Sequence, residues 1–138
     1  MTSARTRSLA AGRIVLLDDA GDLAADHAGR IVVCGDPATL RTARALLRYP
    51  PSLAVLHDAG VGKDGAGTAG LDRLADVHVP AVAVAHDSAR LGDAEDVLEQ
   101  GRIAHLNAPA RALGLEEGPL LRQLARPRSA HVRKLSPA

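Results

Sequence analysis

The chain has 138 residues, 46% of them hydrophobic and 24% charged, with 17 basic against 16 acidic side chains for a formal net charge of +1. That length suits one domain around one core, and the near-zero charge supplies no long-range field to draw specific nucleic acid or an anionic membrane. Tyr49 is the lone aromatic and Cys34 the lone cysteine, which excludes a base-stacking platform, an intramolecular disulfide and a zinc site built from cysteines of one chain.

Residues 1–10 are rich in Ser and Thr, carry Arg5 and Arg7, and read as a flexible start. Apolar runs follow at 13–17, 30–34, 53–57, 81–86 and 102–106, each bounded by Gly, Asp or Pro and each of the length of a buried strand. Helical patterns separate them at 22–27, 38–47, 67–77 and 94–100, with Asp36-Pro37 in the form of an N-cap and first-turn proline. The first crossover, 18–29, has about the minimum length for a helical return, so a hairpin is its alternative. Beyond Asn107, residues 109–113 and 118–124 read as two short helices parted by Gly114, and a basic tail, expected to be flexible, occupies 126–138.

Alternating strands and helices, with strands apolar on both faces, predict an α/β domain over 11–125. Its sheet would be mainly parallel, of about five strands, doubly wound in the flavodoxin or Rossmann manner with helices on both faces. A core of Val, Ile, Leu and Ala buries little area per residue, so a homo-oligomer is expected. No run of about 18 apolar residues and no leader pattern stands out, and a cytoplasmic location with no membrane partner is the expectation.

In such a sheet ligands bind beyond the carboxyl ends of the strands, and the polar clusters of this chain fall there. The runs end in Cys34-Gly35-Asp36, His57-Asp58, His86-Asp87-Ser88-Ala89-Arg90 and His105-Leu106-Asn107. After His57-Asp58 the chain continues Ala59-Gly60-Val61-Gly62-Lys63-Asp64-Gly65, whose glycines permit positive φ while Lys63 adds a mobile cation, a combination suited to phosphate or carboxylate. A Walker A loop is excluded, since His57 and Asp64 stand where Gly and Ser or Thr are needed. The same glycines fit two overlapping dinucleotide spacings, Gly60/Gly62/Gly65 and Gly65/Gly67/Gly70, with Asp87 placed for a ribose.

Ser88, Arg90 and Asp93 bring a hydroxyl, a guanidinium and a carboxylate within six residues. Arg90 suits a carboxylate fork, or alternatively a loop-stitching pair with Asp58 or Asp93, and Asp93 also suits an N-cap. His57, His86 and His105 are candidate proton carriers. A three-histidine metal site lacks a helical i, i+4 ligand pair, so no metal and no cofactor are expected. Cys34 suits a buried small hydrophobe better than a nucleophile.

Asp58-Ala-Gly-Val-Gly-Lys63-Asp64, Ser88-Ala-Arg90-Leu-Gly-Asp93 and Ile103-Ala-His105-Leu-Asn107 together resemble a family of small uncharacterised bacterial α/β proteins over residues 30–114. The resemblance implies a shared site with no activity attached to it. Where that family carries a Gly-Ser-His-Gly-Gly turn, this chain has Cys34-Gly35-Asp36-Pro37, so any catalytic group belonging there is altered.

The expected function is acid–base chemistry, as a lyase, isomerase or hydrolase, on an anionic carboxylate-bearing metabolite. Asp58, His105, His86 and Asp64 are the catalytic candidates, and Gly60, Gly62, Lys63, Ser88, Arg90, Asp93 and Asn107 the substrate-binding ones. A non-catalytic accessory subunit and a dinucleotide binder are the alternatives.

Overall fold

The computed structural model describes residues 4–126. Its strands are β1 (Arg5–Leu9), β2 (Gly12–Leu17), β3 (Ile31–Pro37), β4 (Leu53–His57), β5 (Ala81–Val84), β6 (Arg102–Leu106) and β7 (Gly118–Pro119). The helices are short: α1 (Leu40–Leu46), α2 (Ala69–Asp76), α3 (Ala94–Gln100), α4 (Ala108–Ala112) and α5 (Leu120–Leu124). All seven strands form one mixed sheet whose spatial order follows the chain, β1 to β7 without a jump.

This order overturns the doubly wound expectation. β2 to β5 are mutually parallel, but β1 pairs with β2, β6 with β5 and β7 with β6 in antiparallel fashion. A doubly wound sheet needs the walk along the sheet to reverse so that right-handed crossovers fall on alternate faces. Here the walk never reverses. Right-handed crossovers from β2 to β5 fall on a single face, where Leu46 of α1 and Leu71 and Leu74 of α2 pack with Val15, Val32, Leu56 and Ala83. The other face is filled by Val97 and Leu98 of α3 and Leu120 and Leu124 of α5 against Ile14, Leu16, Val33 and Val55. The result is a curled half-barrel with few helices, not a flavodoxin-like layer.

Three further readings are corrected. Arg5–Leu9, placed by composition in a flexible start, is an edge strand whose Arg5 pairs with Asp18 and Glu95 and whose Arg7 pairs with Glu99. Residues 22–27 hold no α-helix but two 3-10 turns, Ala20–Asp22 and Ala25–His27. Asp36 and Pro37 belong to β3, and α1 is capped instead by Thr39, which accepts from the Thr42 N–H. The basic tail from 127 onward lies outside the described residues. No helix among the described residues is long and apolar enough to cross a membrane.

Candidate functional site

At the end of β4 the chain turns sharply through Ala59, Gly60, Val61 and Gly62, all with positive φ (52°, 77°, 68° and 73°), and Asp64 is left-handed as well (56°). For a β-branched residue such as Val61 that conformation is a genuine outlier, and strained backbone of this kind persists only where its surroundings hold it. Two hydrogen bonds and close backbone packing hold it here. Val61 N–H donates to the Asp58 carbonyl, Gly67 N–H donates to the Val61 carbonyl, and a Cβ on Gly67 would lie 2.2 Å from the Asp58 carbonyl oxygen. Gly70 likewise meets the Thr39 carbonyl at 2.3 Å from a would-be Cβ. Gly67 and Gly70, which fitted a dinucleotide spacing, thus have a packing reason to be glycine.

The turn presents Asp58, only 4% exposed, at the C-terminal edge of the sheet. Its Oδ1 accepts the N–H of Gly60 at 2.8 Å and the N–H of His86 at 2.9 Å. Its Oδ2 lies 3.1 Å from His105 Nε2, and His86 Nδ1 stands 3.4 Å from Oδ1. Burial by itself raises the carboxyl's pKa, but the Gly60 N–H, the His105 ring and the His86 N–H outweigh it and hold the group below the usual carboxylate range. An ionised carboxylate only accepts, so His105 donates through Nε2 and, when neutral, keeps its Nδ1 lone pair for an incoming proton. The His105 side chain is about one-third exposed, and that of His86 is 61% exposed.

His57 is not part of this chemistry. Its Nδ1 accepts from Ala59 N–H at 2.9 Å and its Nε2 lies 2.8 Å from the Ala89 carbonyl, so the buried ring pins the β4 turn to the loop after β5. With both its nitrogens engaged it cannot join a three-histidine metal site. No group of three or more His, Cys, Asp or Glu among the described residues is arranged to hold a metal ion.

Asn107 stands elsewhere. Because β6 runs antiparallel, its C-terminal end lies beside the start of β5, and Asn107 N–H donates to the Ala81 carbonyl. The buried amide makes four hydrogen bonds: Oδ1 accepts from Ala81 and Ala110 N–H, and Nδ2 donates to the Leu71 and Val79 carbonyls. It caps α4 and welds the N-terminal edge of the sheet, opposite the turn bearing Lys63. The expected convergence of Lys63, Arg90 and Asn107 is therefore overturned, and with it the picture of all polar strand ends on one rim.

The Ser88 hydroxyl donates to the Ala85 carbonyl at 2.7 Å and accepts from Arg102 N–H, tying the loop after β5 to the start of β6. Asp93 caps α3, accepting from Asp96 N–H. Arg90 anchors through its backbone N–H to Asp96, and its exposed guanidinium pairs with neither Asp58 nor Asp93. Lys63, Asp64 and Gly62 are exposed on the strained turn, while the Gly60 N–H is committed to Asp58. Burial pushes the Cys34 thiol up to about 12, which makes it inert as a nucleophile at neutral pH.

Sequence reasoning missed a cleft of about 420 Å³ beside the ends of β2 and β3, lined in part by Asp19, Asp36, Thr39 and Arg41. Asp36 accepts from Ala20 N–H, and burial, aided by Asp19, raises its carboxyl above the ordinary range despite that bond and Arg41. The closely spaced acids Asp18, Asp19 and Asp36 after two apolar runs were the available signal. Comparison with family models, with curated proteins and with solved structures returned no match.

Proposed function

We propose that the protein is a small-molecule enzyme that moves protons by acid–base catalysis on an anionic, carboxylate-bearing metabolite at the Asp58 edge of the sheet. The observation that carries this reading is the pair formed by His105 and the buried, ionised Asp58, which is itself held by two backbone N–H donors. A carboxylate so placed fixes the tautomer and orientation of the imidazole and favours the imidazolium formed when the ring takes a proton. Lys63 supplies a cation on the adjoining turn, and Arg90 supplies a second on the loop that His57 ties to it.

The test is proton NMR in D₂O with wild type and a panel of carboxylates: lactate, malate, pyruvate, 2-oxoglutarate and citrate. Conversion or deuterium incorporation is expected for at least one compound, falling about 10²- to 10⁴-fold in His105→Asn and Asp58→Asn, the range typical of a lost general acid or base. Thermal stabilisation by a carboxylate without any conversion or exchange would move the reading to a non-catalytic binding subunit. Stabilisation by reduced nicotinamide cofactor alone would move it to a dinucleotide binder.

A further inference from the structure

We infer that His86 is the second proton carrier of this site and that the substrate is a carbon acid. It is a carboxylate with a hydrogen on the carbon beside a carbonyl or carboxyl group, deprotonated by one imidazole and reprotonated by the other. This rests on the reading above and deepens it.

The geometry is unusual in its symmetry. One carboxylate has an imidazole beside each oxygen, His105 hydrogen-bonded at 3.1 Å to Oδ2 and His86 within ion-pair distance, 3.4 Å, of Oδ1. The two rings face it through opposite nitrogens, Nε2 of His105 and Nδ1 of His86, so Nδ1 of His105 and Nε2 of His86 are the atoms turned away from it. The His86 ring lies beside the turn, within ordinary van der Waals distance, 3.9 Å, of where a Cβ on Gly60 would sit. His86 is further tied to Asp58 by its own backbone N–H, so ring and main chain report to the same carboxylate.

A single negative charge balances a single imidazolium, and a second proton would leave uncompensated charge in the site. With one ring protonated and the other neutral, the paired imidazoles offer an acid and a base in one place. Near the two rings the Ser88 hydroxyl is tied into two structural hydrogen bonds, and the Cys34 thiol is buried. Proton transfer is the chemistry that the paired imidazoles supply. In the forward step the C–H bond breaks, its electron pair moves into the neighbouring carbonyl as an enolate, and the proton passes to the free nitrogen of the neutral ring. In the return step the other imidazolium gives its proton to the enolate carbon or oxygen, and the site regains its starting charge with no oxidant or reductant consumed.

The experiment separates exchange from net conversion. With the carboxylate panel in D₂O, wild type is expected both to convert a compound and to wash deuterium into it. His86→Asn, a change at an exposed side chain, is expected to keep the wild-type unfolding midpoint. It should keep deuterium exchange through His105 to within about tenfold while net conversion falls at least 100-fold. Retention of net conversion within threefold in His86→Asn would overturn the two-carrier assignment and leave the His105–Asp58 reading intact, as would equal losses of exchange and conversion in a folded variant. Wild type that neither exchanges nor converts any compound would overturn both.

Discussion

Asp58 and Asn107 show how two buried polar residues of similar size come to opposite roles. Asn107 has every hydrogen-bonding group matched by main chain, so it has nothing left for a ligand. Asn107→Ala leaves two buried carbonyls and two N–H groups without their partner, and a loss of about 3 kcal/mol or more in urea unfolding is expected. Exchange per folded molecule should be unchanged, because the residue sits at the far edge of the sheet; a fall in exchange would return Asn107 to the site.

Asp58 instead joins two main-chain donors to two side-chain rings, and its neighbours were legible as strand-end polar residues. His105 was found for an incorrect reason, though. It is not at the C-terminal edge by strand direction, but lies opposite Ala83 in the antiparallel β6 and reaches the carboxylate sideways. Nothing in five apolar residues encodes which way a strand runs, so the same inference that found His105 misplaced Asn107.

At the scale of elements, the runs at 53–57 and 102–106 and the helix at 94–100 coincide with β4, β6 and α3, because apolar periodicity, flanking glycines and the Asp93 cap are local signals. The docking of elements was not legible. The loop before α3 lies on the end of β3, where Gly92 N–H donates to the Gly35 carbonyl and a Cβ on Gly35 would sit 2.6 Å from the Gly92 carbonyl carbon. Gly35→Ala must push these backbones apart, and a destabilisation of about 1–3 kcal/mol is expected, as for other forced insertions into packed structure. Faster amide hydrogen exchange confined to residues 88–96 would show that the loop has lifted; unaltered protection there would refute the contact's importance. Asp93→Ala removes the cap of α3 and should cost about 1 kcal/mol by the same unfolding measurement.

For the molecule as a whole, three carboxylates give stability a pH dependence of mixed sign. Asp58 and Asp18 have folded pKa values below their unfolded ones, Asp18 through its hydrogen bonds with Arg5 and the Ala94 N–H. Their contribution is complete above the unfolded value of about 3.9 and is lost as pH falls through the lower folded values. Asp36 runs the other way, its raised pKa meaning that ionisation costs stability as pH rises through the interval between unfolded and folded values. Asp36→Asn is therefore expected to raise the urea midpoint at pH 7, with the gain shrinking as pH is lowered through that interval. A midpoint at pH 7 equal to or below that of wild type would show that the charge is not a burden to the fold.

The strictly consecutive strand order has a bearing on how the chain reaches its native state. As the polypeptide leaves the ribosome, each new strand can be laid on the one just completed, and no gap in the sheet waits for a distant segment to arrive. Apart from the β1 edge, only the growing edge stays open at any moment, and the two-residue β7 closes part of it with a proline, which cannot donate to a further neighbour. Assembly in the direction of synthesis, with a charged strand at the first edge, keeps the span of time in which bare strand edges meet other chains short.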